Sequence, residues 1–305
     1  MNWGFFSAAL SSASLAEVLA LAQSLGVRQL ELGCGGYSGE AHCPRLALLH
    51  QPAQRRRWQQ QIRAAGCEVG ALACHVNPLH PDPALASLHR QQLDQAVELA
   101  ATLAVPTLVT FSGVGGQAGV PNWPVVGWPY EYADYCQRVW QQALIPFWQD
   151  LSQKAERLGV RLALELHGGF LVHSPGTLLA LRQACGPALG ANLDPSHLWW
   201  QGIDPIQAVD LLGEALFHVH LKDWQADPAL QARWGLLDGR DERLGPRSWR
   251  FCLPGEGHDA GFWRAFLGAL QTRQYRGLLS LEHEAAGMAP EAGIRQGLGW
   301  LMSLK

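Results

Sequence analysis

Four apolar segments in the second half of the chain each end in residues that can bind a metal ion. They cover residues 162–167, 191–197, 216–223 and 278–284, and their polar ends contain carboxylates and histidines. A short apolar run bounded by polar residues is typical of a strand buried in a parallel sheet. If such strands close into a barrel, the residues at their C-terminal ends converge on one site. The pattern therefore predicts both the fold and the position of a binding site.

The rest of the chain alternates strand-like and helix-like patterns. Ser14, followed three residues later by Glu17, has the spacing of a capping box and predicts the start of a helix. One long helix is predicted over residues 131–158. Eight strand–helix units without a break in composition predict an α/β fold, a single-domain (β/α)8 TIM barrel over residues 1–305. A doubly wound sheet is the alternative, but no glycine-rich phosphate loop follows the first predicted strand.

Three connections are longer than a turn requires. They follow predicted strands 3, 4 and 7 and cover residues 75–83, 113–130 and 224–259. Loops of this length usually cover a ligand or form an interface. Tryptophans are frequent in and beside the strand-to-helix loops, and their number favours a sugar as ligand, with packing within the loops as the alternative for each of them. They are Trp123, Trp128, Trp199, Trp200, Trp224 and Trp234, of which Trp123 and Trp199 are the predicted substrate contacts.

Charge and cysteine usage narrow the functional classes. A net charge of −3 without a basic patch argues against nucleic acid or a membrane surface as the partner. Seven scattered cysteines without a CxxC pair predict reduced thiols, and no secretory signal pattern is visible, so a cytoplasmic location is expected. The expected partner is a small-molecule sugar or sugar derivative, and the aromatic loops are compatible with a homo-oligomer.

The four strand ends supply a ligand set for one divalent metal ion. Three carboxylates and one imidazole suit Mn²⁺, Mg²⁺, Co²⁺ or Zn²⁺. An internal ion-pair network is the alternative, but buried carboxylates need compensation, and Lys222 is the only lysine or arginine in the four segments. The predicted metal ligands are Glu165, Asp194, His220 and Glu282.

Further polar residues flank the predicted ligands. His218 precedes His220 by two residues, so both side chains point the same way from the strand. His218 is therefore predicted to be a buried, hydrogen-bonded histidine or a partner behind His220. His197, just past the sixth predicted strand, can reach a substrate oxygen or a second metal ion. Of Lys222 and Asp223, one is expected to contact substrate and the other to orient a ligand, with a local salt bridge as the alternative.

Taken in order, these motifs resemble those of a known family. Glu-x-His after strand five, Asp-x-x-His after strand six, His-x-His-x-Lys-Asp on strand seven and Glu-His-Glu at strand eight are similar to the xylose isomerase-like TIM-barrel superfamily, in particular its sugar phosphate isomerase/epimerase branch. The resemblance implies that the four predicted ligands bind one divalent metal. It also implies that Glu165 and Glu282 move protons and that His197 binds substrate, and we expect His167 to contact substrate as well.

The chemistry implied is that of a divalent-metal-dependent sugar isomerase or epimerase, acting by proton transfer next to a carbonyl through an enediolate. A metal-dependent dehydratase or lyase acting on a keto-sugar or glycoside begins with the same step and remains an alternative. The same barrel could also serve a phosphodiesterase like endonuclease IV or a non-catalytic sugar-binding protein. Leu171 and Ala226 stand where the ketohexose epimerases carry a glutamate and an arginine, which argues against a free ketohexose as substrate.

Overall fold

The computed structural model describes residues 1–304, and within them eight parallel strands form a closed barrel. Each strand pairs with its neighbours in sequence, and the eighth closes the barrel by pairing with the first in the register Asn2 to Leu278. Lys305, the last residue of the predicted domain, lies outside the described residues. The predicted (β/α)8 fold is confirmed. The barrel strands are Asn2–Phe6, Gln29–Gly36, Glu68–His75, Thr107–Thr110, Arg161–Glu165, Leu189–Leu193, Leu216–Leu221 and Leu278–Leu281.

Helices surround the barrel and cover its outer face. Every residue of the sixth, seventh and eighth strands is buried, which explains why these strands are continuous apolar runs in the sequence. The predicted capping box is confirmed, since the Ser14 side chain accepts from the backbone of Glu17 and the Glu17 side chain accepts from the backbone of Ser14. The α-helices are Leu15–Leu25, Arg45–His50, Pro52–Ala64, Pro83–Leu103, Tyr130–Val139, Ile145–Leu158, Pro175–Cys185, Pro195–Trp199, Pro205–Leu212, Pro228–Trp234, Ala260–Thr272 and Pro290–Ser303.

The long helix predicted over residues 131–158 is interrupted. Between Tyr130–Val139 and Ile145–Leu158 the chain forms one π-helical segment, Trp140–Leu144. Pro146 lies just beyond this segment, and proline has no backbone N–H to continue the α-helical hydrogen bonds. The prediction of one regular helix was therefore wrong at this point. No helix within residues 1–304 is long and apolar enough to cross a membrane.

The loop after strand seven is itself structured. Asp223–Ala226 pairs antiparallel with Trp249–Cys252, and the helix Pro228–Trp234 lies between these two strands in sequence. The buried Asp223 carboxylate accepts hydrogen bonds from the backbone N–H of Gly255, Gly257 and His258, at 3.0 to 3.2 Å. Asp223 therefore fixes the end of this loop against the barrel mouth, where the loop covers the C-terminal ends of the strands.

Candidate active site

The four predicted metal ligands meet at the C-terminal mouth of the barrel. Glu165 ends strand five, Asp194 directly follows strand six, His220 lies near the end of strand seven and Glu282 directly follows strand eight. One potential ligand atom from each lies within 4.8 Å of the others. Asp194 and His220 are fully buried, and the Glu282 side chain is 13 % exposed. Barrel closure therefore gathers four residues that are up to 117 positions apart in sequence (282 minus 165).

The His220 ring is held so that one nitrogen faces this cluster. Its Nε2 lies 3.1 Å from the Glu31 carboxylate, while its Nδ1 lies 3.4 Å from Glu165 Oε2 and 3.3 Å from Glu282 Oε2. Burial alone would lower the pKa of His220, but the charges of Glu31 and Glu282 raise it well above its usual value. A hydrogen bond from Nε2–H to Glu31 leaves Nδ1 directed at the cluster, which is the arrangement of a metal-binding histidine oriented by a carboxylate.

Glu31 is a site residue that the sequence analysis missed. It lies in strand two, is fully buried, and also accepts a hydrogen bond from His218 Nε2 at 2.8 Å. His218 is thus buried and hydrogen-bonded behind His220, as predicted. Burial would raise the pKa of Glu31, but the two histidines hold it well below its usual value. The available signal was a single carboxylate between two leucines in a run that otherwise has the pattern of a buried strand.

Glu165 is surrounded by hydrogen-bond donors. His197 Nε2 lies 3.1 Å from its Oε1, and His75 Nε2 lies 3.0 Å from its Oε2. The amide of Asn192 donates to Oε2 at 3.1 Å. Burial would raise the pKa of Glu165, but the hydrogen bonds from His197 and His75 hold it well below its usual value. His75 ends strand three, whereas the sequence pattern places it at the start of a long loop and does not indicate a role in the site.

Lys222 projects into the acidic cluster. Its ammonium lies 2.6 Å from Glu282, 2.8 Å from Glu284 and 3.1 Å from Asp194 Oδ2. Burial would lower the pKa of Lys222, but these carboxylates, Asp194 foremost, raise it well above its usual value. Lys222 therefore supplies one positive charge to the group, whereas Asp223 is directed at the loop backbone.

The residues at the mouth fit a divalent cation. Asp194 Oδ2 is buried and accepts no hydrogen bond from the described residues, although Lys222 and His197 lie 3.1 and 3.5 Å away. Three carboxylates and one imidazole are a donor set that Mn²⁺, Mg²⁺, Co²⁺ and Zn²⁺ accept. Two further groups of potential ligands share members with this one: Glu31 with His218 and His220, and Glu165 with His167 and His197.

One cavity opens beside this cluster, and a second cavity adjoins the first. The inner cavity of about 200 Å³ is lined by Glu165, Glu282 and Lys222, together with both His167 and His197. The His167 and His197 rings are 4.0 Å apart, and burial, with the nearby His197, lowers the pKa of His167 to about 3. His167 is therefore a neutral ring at physiological pH. The predicted substrate contacts His167, His197 and Lys222 all face this cavity.

The outer cavity, of about 390 Å³, has an aromatic lining. Trp123, a predicted substrate contact, lies in this lining together with Trp200 and Trp249. Trp199 lines neither cavity, because its ring stacks on His258 at 3.7 Å at the other side of its short helix. The substrate-contact prediction for Trp199 therefore does not match its position, and the neighbouring Trp200 takes the place expected of it.

Fold and site together define a class: a (β/α)8 barrel with a carboxylate and histidine cluster at its C-terminal mouth. Residues 19–304 match the family described as "Xylose isomerase-like TIM barrel", and the chain belongs to this family. It is similar to the Bacillus subtilis protein YfiH, for which no activity is named, with 38 % identity over 303 residues covering 97 % of this chain and 96 % of YfiH.

Solved structures share the fold at lower sequence identity. The 3-keto-D-glucoside 4-epimerase YcjR from E. coli superposes with a TM-score of 0.67 and 15 % identity, over 99 % of each chain. The probable 3-DHS dehydratase AsbF from Bacillus anthracis gives 0.67 and 17 %, again over 99 % of each chain. A D-psicose 3-epimerase gives 0.64 and 14 %, over 99 % of this chain and 97 % of the other. The fold is therefore shared by sugar epimerases and by a protein described as a dehydratase.

Proposed function

We propose that the protein is a divalent-metal-dependent isomerase or epimerase that transfers a proton at the carbon next to the carbonyl of a sugar derivative. One observation carries the proposal: potential metal ligands from four strands meet within 4.8 Å of one another, and two of them, Glu165 and Glu282, line a cavity. The cation would be held by Glu165, Asp194, His220 and Glu282. When bound, it supplies positive charge that stabilises the negative oxygen developing on the substrate.

Glu165 is assigned the role of base. Its lowered pKa keeps it ionised at neutral pH, and His197 and His75 fix the direction of its two oxygens. His197 can also donate to a substrate oxygen because it lines the same cavity. These contacts orient the carboxylate before substrate arrives, which is how a positioned general base gains its rate advantage.

Glu282 is assigned the role of returning the proton, with Lys222 beside it. The Lys222 ammonium contacts both Glu282 and the half-exposed Glu284, so it can exchange one carboxylate partner for a substrate hydroxyl without losing all compensation. Protonation of the same carbon on its opposite face gives an epimer, and protonation of the neighbouring carbon gives an isomer.

The positions of Leu171 and Ala226 favour one class of substrate. Leu171 is 8 % exposed and Ala226 lies on the first strand of the ribbon after strand seven, so neither position offers the polar group that the ketohexose epimerases carry there. We therefore favour a sugar derivative, such as a keto-glycoside or an oxidised sugar, over a free ketohexose.

The proposal is tested by metal analysis followed by proton exchange. We expect about one equivalent of metal per chain in the wild type and a loss of most of it in D194N. In D204N, a matched change in an exposed helix cap, the metal content is expected to be unchanged. Incubation of wild type with ketoses and 3-keto-glucosides in D₂O is expected to introduce deuterium at one carbon of one substrate class, and E165Q to abolish this.

A different result in the same assay would select the alternative activity. Formation of an unsaturated ketone, seen as a new ultraviolet band with loss of a β-substituent, would assign the protein to the dehydratases or lyases. No metal and no exchange with any carbonyl sugar would contradict the proposal and favour a binding role.

A further inference from the structure

The aromatic outer cavity continues the acidic site. We propose that it binds an apolar, ring-shaped aglycone, so that the substrate is a keto-glycoside whose reacting sugar lies in the inner cavity. This inference rests on the proposed function, because it assigns the substrate class of the same site. Ligand pockets commonly measure about 300–1,000 Å³. The inner cavity of about 200 Å³ falls below that range, and the outer cavity adds about 390 Å³.

The two cavities are joined by shared walls. His167, His197 and Phe251 line both of them, so the two cavities lie side by side. Gly168 makes this junction possible. A Cβ at this position would lie 2.2 Å from Cζ2 of Trp200, so the missing side chain lets the indole lie directly against the loop that carries His167. The aromatic wall therefore lies directly against the loop that carries His167, which also lines the inner cavity.

Three tryptophans shape the outer cavity. Trp200 and Trp249 stack with ring centroids 5.6 Å apart and planes inclined by 11°. Trp123 packs edge-on against Trp200 at 6.2 Å and 85°. Leu236 and Leu237 line the cavity beside them. Rigid aromatic faces at fixed angles, together with aliphatic side chains, match the shape and the surface of a flat apolar ring.

The charged groups of this cavity are already engaged by the protein. The Asp238 carboxylate accepts hydrogen bonds from the Arg240 guanidinium and from the backbone N–H of Ser248. The Arg247 guanidinium donates to the carbonyl oxygen of Asp238 and lies 4.3 Å above the Trp249 ring. A second sugar ring presents several hydroxyl groups that each need a partner, whereas an apolar aglycone needs few.

One polar group of the aromatic wall remains available. The Trp200 Nε1 is buried and has no hydrogen-bond partner among the described residues. A buried indole N–H normally finds an acceptor. A single donor fits the single oxygen that joins a sugar to its aglycone. The lining therefore favours an apolar aglycone over a second hexose.

The test measures binding of glucosides that lack the carbonyl and cannot react. The Kd values of 4-nitrophenyl and methyl D-glucoside, in both anomers, are determined by calorimetry on the Mn²⁺-supplemented protein. Burial of the aryl ring is expected to lower Kd by about tenfold or more relative to the methyl glucoside. L237D is expected to reduce this ratio towards one. L244D, a matched change at a highly exposed leucine of the same loop that lines neither cavity, is expected to leave it unchanged.

Several results would overturn the inference. Equal Kd values for the aryl and methyl glucosides, or an aryl preference that survives L237D, would exclude the outer cavity as the aglycone site. Tighter binding of cellobiose or maltose than of the aryl glucoside would assign the cavity to a second sugar. G168A offers an independent check, since displacement of Trp200 should also remove the aryl preference. Because the ligands are unreactive, absence of proton exchange would contradict the proposed function and leave these ratios measurable.

Discussion

Replacement of Glu31 by glutamine tests how the predicted metal ligand His220 is held. Glu31 is fully buried, and its carboxylate accepts from His218 at 2.8 Å and from His220 at 3.1 Å. Glutamine keeps the size of the side chain but removes the charge. Removal of a carboxylate that orients a metal-binding histidine typically weakens metal binding by 10–100-fold. This corresponds to about 1.4–2.7 kcal/mol of binding free energy.

The assay is a calorimetric titration of chelator-treated protein with Mn²⁺. E31Q is expected to raise Kd by about one to two orders of magnitude while the stoichiometry stays the same. E68Q is the matched control, because Glu68 is exposed at the first position of strand three, at the opposite end of the barrel. Circular dichroism of each variant establishes that the fold is retained.

Two results would refute this reasoning. An unchanged Kd in E31Q would mean that Glu31 does not position His220 for the metal. Complete loss of binding in E31Q, with binding retained in D194N, would place the metal in the deeper group of Glu31, His218 and His220.

Two further predictions concern the charges of the site. In K222M the free energy of unfolding of the metal-free protein should fall by about 3–5 kcal/mol, because buried carboxylates lose their cation. Excess Mn²⁺ should restore part of this. K154M, which removes the two partly exposed ion pairs of Lys154 with Asp94 and Glu98, should cost about 1 kcal/mol or less. A K222M protein as stable as wild type without metal would contradict the account. The pKa of His167 is about 3 in the folded state, below its value in the unfolded chain. Between these two values the folded state binds fewer protons than the unfolded state. The free energy of unfolding therefore falls as the pH drops from about 6.5 towards 3. H167N should show a shallower fall in urea titrations across this range than wild type or H50N, an exposed control; equal slopes would refute the assignment.

Much of the fold and part of the site could be predicted because they depend on local sequence patterns. Strands five to eight are short, fully or largely buried runs, and a parallel barrel places their polar ends on one rim. Glu165, Asp194, His220 and Glu282 therefore come together wherever the strands close in order. The helix interruption at Trp140–Leu144 escaped prediction because a proline within a helical pattern can end, kink or only locally rearrange it.

The remaining site residues depend on packing across the barrel. Glu31 meets His218 from 187 positions away, a contact set by strand tilt and side-chain length rather than by any local motif. His75 reaches Glu165 in the same way, 90 positions away. Trp199 and Trp200 are adjacent, but consecutive residues of a helical turn point about 100° apart. Which of the two faces the cavity is decided by the orientation of the helix Pro195–Trp199, which the sequence pattern does not define.

The central claim is that the four gathered side chains hold a metal that serves proton transfer beside a carbonyl. The most direct measurement is deuterium uptake from D₂O into a 3-keto-glucoside, followed by NMR with native, chelator-treated and Mn²⁺-restored protein. We expect exchange at one carbon, loss of exchange on chelation, recovery on Mn²⁺ addition and no recovery in D194N. Exchange at an equal rate in the chelated, metal-free protein, or in D194N, would contradict the claim.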